Sequence, residues 1–335
     1  MFAQYLLFTA QVFTLIIGLL VLLIGIFSIA SKNKNRDQGQ LCIKKLNKKY
    51  EEMHDILSQV VLNKVQYKKT LKAQKKQHKA EANLSAVRKR IFVMSFTGDI
   101  RASATTSLRE AITGLLTLAT PEDEIVLRLE SAGGMVHAYG LAASQLQRIR
   151  NHQIPLVVII DKIAASGGYM MAAVANRILA APFAILGSIG VIAQIPNFHR
   201  LLKKNDIEFE QIMAGQYKRT LTLFGENTEQ GREKFQAEVN ETHHLFKTFL
   251  LENRSSLDME KVATGEHWYG TRALELCLID GISTSDDYLL SASKTADIYD
   301  VCYQPKRTLM DKLSHSAAKV YDTCLSKLTR ETYSN

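Results

Sequence analysis

Between residues 90 and 304 the chain alternates short apolar runs with longer stretches whose apolar residues fall three or four apart. Residues 91–96, 124–129 and 156–160 read as strands; residues 107–118, 135–150 and 166–176 read as the helices that follow them. Strands separated by helical segments of ~10–15 residues predict βαβ units with right-handed crossovers, hence an α/β fold. Further along, 178–181 and 191–195 read as apolar runs on either side of the Gly-punctuated turn GSIG at 187–190. Later elements are predicted over 197–204, 207–212, a long helix over 228–253, helices over 271–277 and 285–293, and a strand over 298–303. The tail 305–335 reads as one amphipathic helix with a polar end.

The first 31 residues have a different pattern, because they carry no charged side chain. Residues 12–30, VFTLIIGLLVLLIGIFSIA, are 19 residues long, enough at ~1.5 Å per residue to cross a hydrocarbon core of ~30 Å. The start is uncharged and the run is longer than a signal-peptide core, so a retained single-pass anchor over 1–31 is expected rather than a cleaved leader. Lysines then dominate. Residues 31–90 hold 17 Lys/Arg against 5 Asp/Glu, a net +12, while the whole chain is +9, so the remaining residues sum to −3. With Leu46, Met53, Leu57, Val60 and Val65 at helix-like intervals, residues 32–89 read as a basic helical connector. Its cations suit anionic lipid headgroups at ~1 kcal/mol each near the surface. The segment lacks interleaved aromatics for base stacking, so no nucleic-acid partner is expected. The four cysteines form no C-x-x-C pair and no metal site is indicated.

Sites in open α/β sheets gather at the carboxyl ends of strands, and two glycine-bearing turns fall there. One is Glu130-Ser-Ala-Gly-Gly-Met135 after EIVLRL; the other is Ala164-Ala-Ser-Gly-Gly168 after LVVII. Paired glycines allow backbone N–H groups to face a developing oxyanion. Ser166 sits among small residues at a strand-to-helix transition, in a stretch that differs from the G-x-S-x-G nucleophile elbow only at its first residue. A serine needs a base. Histidines such as His137, His152, His199 and the pair His243–His244 read mainly as surface or packing residues, and an Asp258–His267 pairing looks forced. Lys218, followed by Leu221, Leu223 and Phe224, is a lysine whose stem the apolar neighbours could bury; spacing alone does not separate it from Lys162 or Lys203.

Taken together, SAGGMVHAYGLAASQL, DKIAASGGYMMAAVAN, GSIGV, YKRTLTLFGENTEQGREKF and ATGEHWYG resemble the S49 peptidases, membrane-anchored serine proteases of the signal-peptide-peptidase family. The resemblance covers nearly the whole chain. It implies a ClpP/crotonase-like βαβ superhelical fold over 90–304 and a Ser/Lys dyad without cofactor: Ser166 as nucleophile, Lys218 as general base, and Ser188 orienting the lysine. The oxyanion hole would draw on the backbone N–H groups of Gly133, Gly134 and Gly167. Ala132 stands where the family carries proline, which leaves that turn freer in the unfolded chain. For Lys218 to accept a proton near neutral pH, its pKa must fall from ~10.4 towards ~7–8, which burial supplies.

The implied partners are peptide or protein substrates, the bilayer through residues 6–30, anionic headgroups through 32–90, and further copies in a homo-oligomeric ring. The implied location is the bacterial inner membrane. The Lys/Arg asymmetry places the catalytic segment in the cytoplasm, whereas the family's part in signal-peptide disposal is pictured on the periplasmic face. Two other classes stay open on the residues alone. A crotonase-type acyl-CoA hydratase or isomerase would use the glycine amides but need neither Ser166 nor Lys218; an inactive membrane scaffold would need none of them.

Overall fold

The run Leu156–Ile160, LVVII, is β4, and all five residues are buried. A strand apolar at every position needs cover on both faces, which is the signature of a central parallel strand. The structure, a computed structural model, describes residues 11–18, 39–83 and 88–305. Leu41–Tyr303 form one compact unit; Met1–Gln40 group with Gln304–Asn335 in another, of which the structure describes a helix over residues 11–18. The remainder of the expected anchor over 1–31 and of the tail over 305–335 lies outside the described residues, as does Cys324. No helix among the described residues is long and apolar enough to cross a membrane.

Ten strands make the sheet: β1 (Gln40–Lys45), β2 (Lys89–Gly98), β3 (Glu124–Ser131), β4, β5 (Ile163–Ala165), β6 (Arg177–Ala180), β7 (Ile185–Gly187), β8 (His267–Tyr269), β9 (Gly281–Ile282) and β10 (Ala296–Gln304). The main order is β1-β10-β2-β3-β4-β6-β9, with β10–β2, β2–β3, β3–β4, β4–β6 and β6–β9 parallel. A smaller layer leaves this path where β3 ends: Ser131 pairs with Ala164, β5 pairs in parallel with β7, and β7 pairs antiparallel with β8.

Beside the helix over residues 11–18, the helices among the described residues are α1 (Leu46–Val61), α2 (Lys64–Asn83), α3 (Thr105–Leu116), α4 (Val136–Asn151), α5 (Gly167–Ala173), α6 (His199–Lys204), α7 (Glu229–Asn253), α8 (Met259–Val262), α9 (Gly270–Glu275) and α10 (Ser285–Ala292). The pleat divides the core in two. Ile125, Leu127 and Leu129 of β3 join Leu108 and Ile112 of α3, Tyr139 and Leu146 of α4, and Phe246 and Leu250 of α7. On the other face Val93, Val126, Val157, Ile159 and Ile298 meet Leu289 of α10.

Most predicted elements are present within a few residues. The basic connector expected to be helical over 32–89 holds, among its described residues, a strand as well as two helices. QLCIKK joins the sheet edge beside β10 as β1, and the helical run breaks at Leu62, which leaves the helix in an extended conformation. The runs 191–195 and 207–212 form no regular structure, and β5, β7, β8 and β9, of two or three residues each, were too short to be read from periodicity.

Asn47 ties this edge down. It is 6% exposed; its Nδ2 donates to Ser293 O (3.1 Å) and Ala296 O (2.9 Å), and its Oδ1 accepts from Ile298 N (2.7 Å). Removing a side chain that satisfies three buried backbone groups leaves them unpaired. Asn47→Ala is expected to cost about 2 kcal/mol or more in equilibrium unfolding, whereas Lys48→Ala on the exposed side of the same turn stays within about 0.5 kcal/mol.

Candidate active site

Ala165 and Gly187 are register partners at the ends of parallel β5 and β7. The residues that follow them, Ser166 and Ser188, therefore lie side by side, about one strand spacing of ~4.8 Å apart. Ser166 N donates to Gly187 O (2.8 Å) and Ser188 N to Glu266 O (2.6 Å). Both serines have positive φ, 52° and 49°, in a region that non-glycine residues enter at a cost of ~1–3 kcal/mol. Ser166, with ψ −119°, is also the residue that opens α5, and its carbonyl accepts from Met170 N (2.9 Å). A strained serine between a strand and a helix is the backbone of a nucleophile elbow.

The SAGG turn closes on this point. Gly133, at φ 88°, has no room for a side chain: a Cβ there would lie 2.8 Å from Ala165 O, Gly167 N and Ser166 Cβ. The Gly133 N–H donates to Ser131 Oγ at 3.1 Å, so that amide is engaged within the turn. The N–H groups of Gly134 and Gly167 meet no acceptor among the described residues.

A relay of hydroxyls holds the turn. Tyr139, fully buried on α4, donates to Asp99 O at 2.7 Å. Having spent its one hydrogen, it must accept from Ser131 Oγ at 2.5 Å. Ser131 in turn accepts from Gly133, so the direction of every bond is fixed from Gly133 to Ser131 to Tyr139 to Asp99. The Tyr139 ring also abuts Gly167, where a Cβ would come within 2.4 Å of its Cγ. Burial raises the Tyr139 phenol above its ordinary pKa, against the lowering effect of Ser131, so it serves as a neutral donor.

A second support lies beneath α5. Fully buried Tyr169 donates to Leu278 O (2.8 Å). The same loop is clamped by Arg254, whose guanidinium donates to both oxygens of Asp280 (3.1 and 2.8 Å) and to Cys277 O (3.1 Å). Burial alone would push the Asp280 carboxyl up; Arg254 and the Ile178 N–H (2.7 Å) outweigh it and hold it below the usual range.

Lys218 lies on the irregular segment between α6 and α7. Its side chain is exposed, contrary to the expected burial, and makes no hydrogen bond or ion pair among the described residues. The physical reason is that its apolar neighbours pack elsewhere: Phe224 contacts Phe198 and Phe209, Asn197 Nδ2 bonds Thr222 O and Gly225 O, and Phe198 N bonds Leu223 O. Segment 189–228 thus folds on itself. A groove of about 390 Å³, lined by residues that include Phe209, Met213, Tyr217 and Thr220, flanks Lys218. No group of His, Cys, Asp or Glu among the described residues could hold a metal ion.

The sequence matches the N-terminal part of peptidase family S49 over residues 1–146 and peptidase family S49 over 148–299. It is 46% identical over 325 residues to the probable protease SohB of Haemophilus influenzae, covering 93% of this chain and 92% of that protein. It is also 46% identical over 325 residues to the probable protease SohB of Buchnera aphidicola subsp. Acyrthosiphon pisum, covering 97% and 96%. Among solved structures, a serine-to-alanine mutant of the 1510-N membrane-bound stomatin-specific protease matches with a TM-score of 0.40 and 17% identity, over 62% of this chain and 86% of that one. The chain belongs to peptidase family S49 and is a peptidase. Its fold is the α/β arrangement of mainly parallel strands joined by helices that the sequence pattern predicts.

Two outcomes are expected of the supports. Tyr139→Phe and Ser131→Ala each leave buried groups unpaired and lower unfolding stability by about 1–3 kcal/mol. The double variant loses less than their sum by at least ~0.5 kcal/mol in a double-mutant cycle. The depressed carboxyl of Asp280 contributes stability that is present above the unfolded-state pKa of ~3.9 and is lost as pH falls through the lower folded value. Melting temperature is thus expected to fall below about pH 4, and Asp280→Asn flattens that acid limb while lowering stability at neutral pH.

Proposed function

We propose that this peptidase is a membrane-anchored serine endopeptidase of the bacterial inner membrane, acting on membrane-proximal peptides such as signal-peptide remnants or segments of misfolded proteins. The observation that carries the reading is Ser166 itself: a non-glycine residue held at φ 52° beside two unengaged glycine amides. Such strain persists where surrounding structure over-determines it, and it clusters at active sites.

In this reading the Ser166 hydroxyl attacks the scissile carbonyl carbon while the neutral amine of Lys218 takes its proton. The oxyanion accepts hydrogen bonds from the Gly134 and Gly167 N–H groups. The Lys218 ammonium then returns the proton to the departing amine, leaving an acyl ester on Ser166. Water, deprotonated by Lys218, releases the acid. Ser188, beside Ser166 in register, orients the amine.

An exposed lysine is a poor base, and a second copy supplies the missing cover. Segment 189–228 exposes Ile192, Leu201, Ile207 and Ile212, apolar side chains that a neighbouring copy would cover. In a ring with head-to-tail contacts, this segment of one copy covers the site of the next and brings Lys218 to its Ser166. The apolar run of residues 12–30 anchors each copy, and the Lys/Arg bias after it sets the sidedness, which a reporter fused after Asn335 reads.

Ser166→Ala and Lys218→Met are each expected to abolish peptide cleavage. Co-expressed in equal amounts, the two inactive chains restore activity to about one quarter of wild type, because one head-to-tail contact in four then pairs an intact Ser166 with an intact Lys218. Cleavage that survives either single substitution contradicts the dyad; no restoration in the mixture contradicts the shared site.

A further inference from the structure

Helix α1 is amphipathic with its apolar side turned outward. Met53, Ile56, Leu57, Val60 and Val61 follow the i, i+3, i+4, i+7, i+8 spacing of one helical face, and they are 52–84% exposed. The residues this helix buries are polar: Asn47, bonded to β10 and its approach, and Ser58. Leu46 and Tyr50 are half-buried. At ~100° per residue, Glu51, Glu52 and Asp55 lie roughly 110–170° from the middle of the apolar stripe. Lys49 borders it.

The surroundings are cationic. β1 ends in Lys44 and Lys45, and α2 carries seven lysines against one glutamate. An apolar stripe with its acids on the opposite side and cations on its flanks is the composition of a helix that lies in a bilayer interface, with the stripe among the acyl chains and the lysines among anionic headgroups. A second copy of this chain fits the same face less well, since stripe-to-stripe pairing would draw together two segments of net +12.

We propose that α1 lies flat in the surface of an anionic bilayer, buried along Met53, Ile56, Leu57, Val60 and Val61, as a membrane contact separate from the apolar run at residues 12–30. This contact is independent of the Ser166 chemistry.

The test places a tryptophan in the stripe of the full-length chain. Leu57→Trp, with Val60→Trp as a second position, is reconstituted in vesicles of phosphatidylcholine and phosphatidylglycerol carrying bromine on the acyl chains near the headgroups. The wild-type chain, whose one tryptophan is Trp268, gives the background. The added emission is expected to shift to the blue and to be quenched about twofold or more by the brominated lipid. Ile56→Glu in the same chain, or vesicles of phosphatidylcholine alone, should reduce that quenching, with peptide cleavage confirming that the fold is intact. An added tryptophan that emits like one in water overturns the proposal. So does one shielded but unquenched, since the stripe is then covered by protein, whether a second copy or residues 306–335. Quenching equally strong in phosphatidylcholine alone overturns the role of anionic headgroups.

Discussion

The hydrogen bond from Ser166 N to Gly187 O is the constraint on which the site depends. It extends the β5–β7 pairing one residue past the strand ends, at the point where the chain must turn into α5. A serine that keeps its strand hydrogen bond and also starts a helix has few backbone conformations left, and the one found is left-handed. The strain is offset by what surrounds it. Gly133 fits against Ala165 and Gly167 with no space for a side chain, and Tyr139 fills the other side of Gly167. The backbones of Ser166 and of the adjoining glycine turns are therefore set by one packing arrangement.

In the proposed mechanism the groups around Ser166 belong to one packed framework, while Lys218 lies on a different segment. Ser166, Ser188, Gly134 and Gly167 all sit on short strands and their ends, anchored by the relay to Asp99 and the Arg254 clamp. Lys218 belongs to a segment without strands, held by its own aromatic cluster. In the proposed ring, a site divided in this way would be switched on by assembly, and newly made single chains would be inactive.

What could be read in the sequence follows physical signal strength. β4 and the long α7 announce themselves by unbroken hydrophobicity and by periodicity, and both occur where expected. The turns at Ser166 and SAGG were legible as strand-to-helix connections because paired glycines follow an apolar run in each case. Strands of two or three residues hold less than one period of alternation, so β5 and β7 could not be found, and with them the side-by-side placement of Ser166 and Ser188. Tyr139 was hidden for another reason: in HAYGLAAS it reads as one more residue on a buried helix face, and only the folded chain shows its hydroxyl reaching Ser131 and Asp99. The apolar neighbours of Lys218 suggested burial, but Phe224 packs with Phe198 and Phe209 instead and the lysine stays exposed.

The most direct measurement is a structure of the full-length assembly after reaction with a peptidyl phosphonate. The expected result is phosphorus bonded to Ser166 Oγ, its free oxygen within hydrogen-bond distance of both the Gly134 and Gly167 amides, and the Lys218 amine of an adjacent copy beside Ser166 and Ser188. A label on another residue, or a phosphonyl oxygen facing away from both glycines, would contradict it.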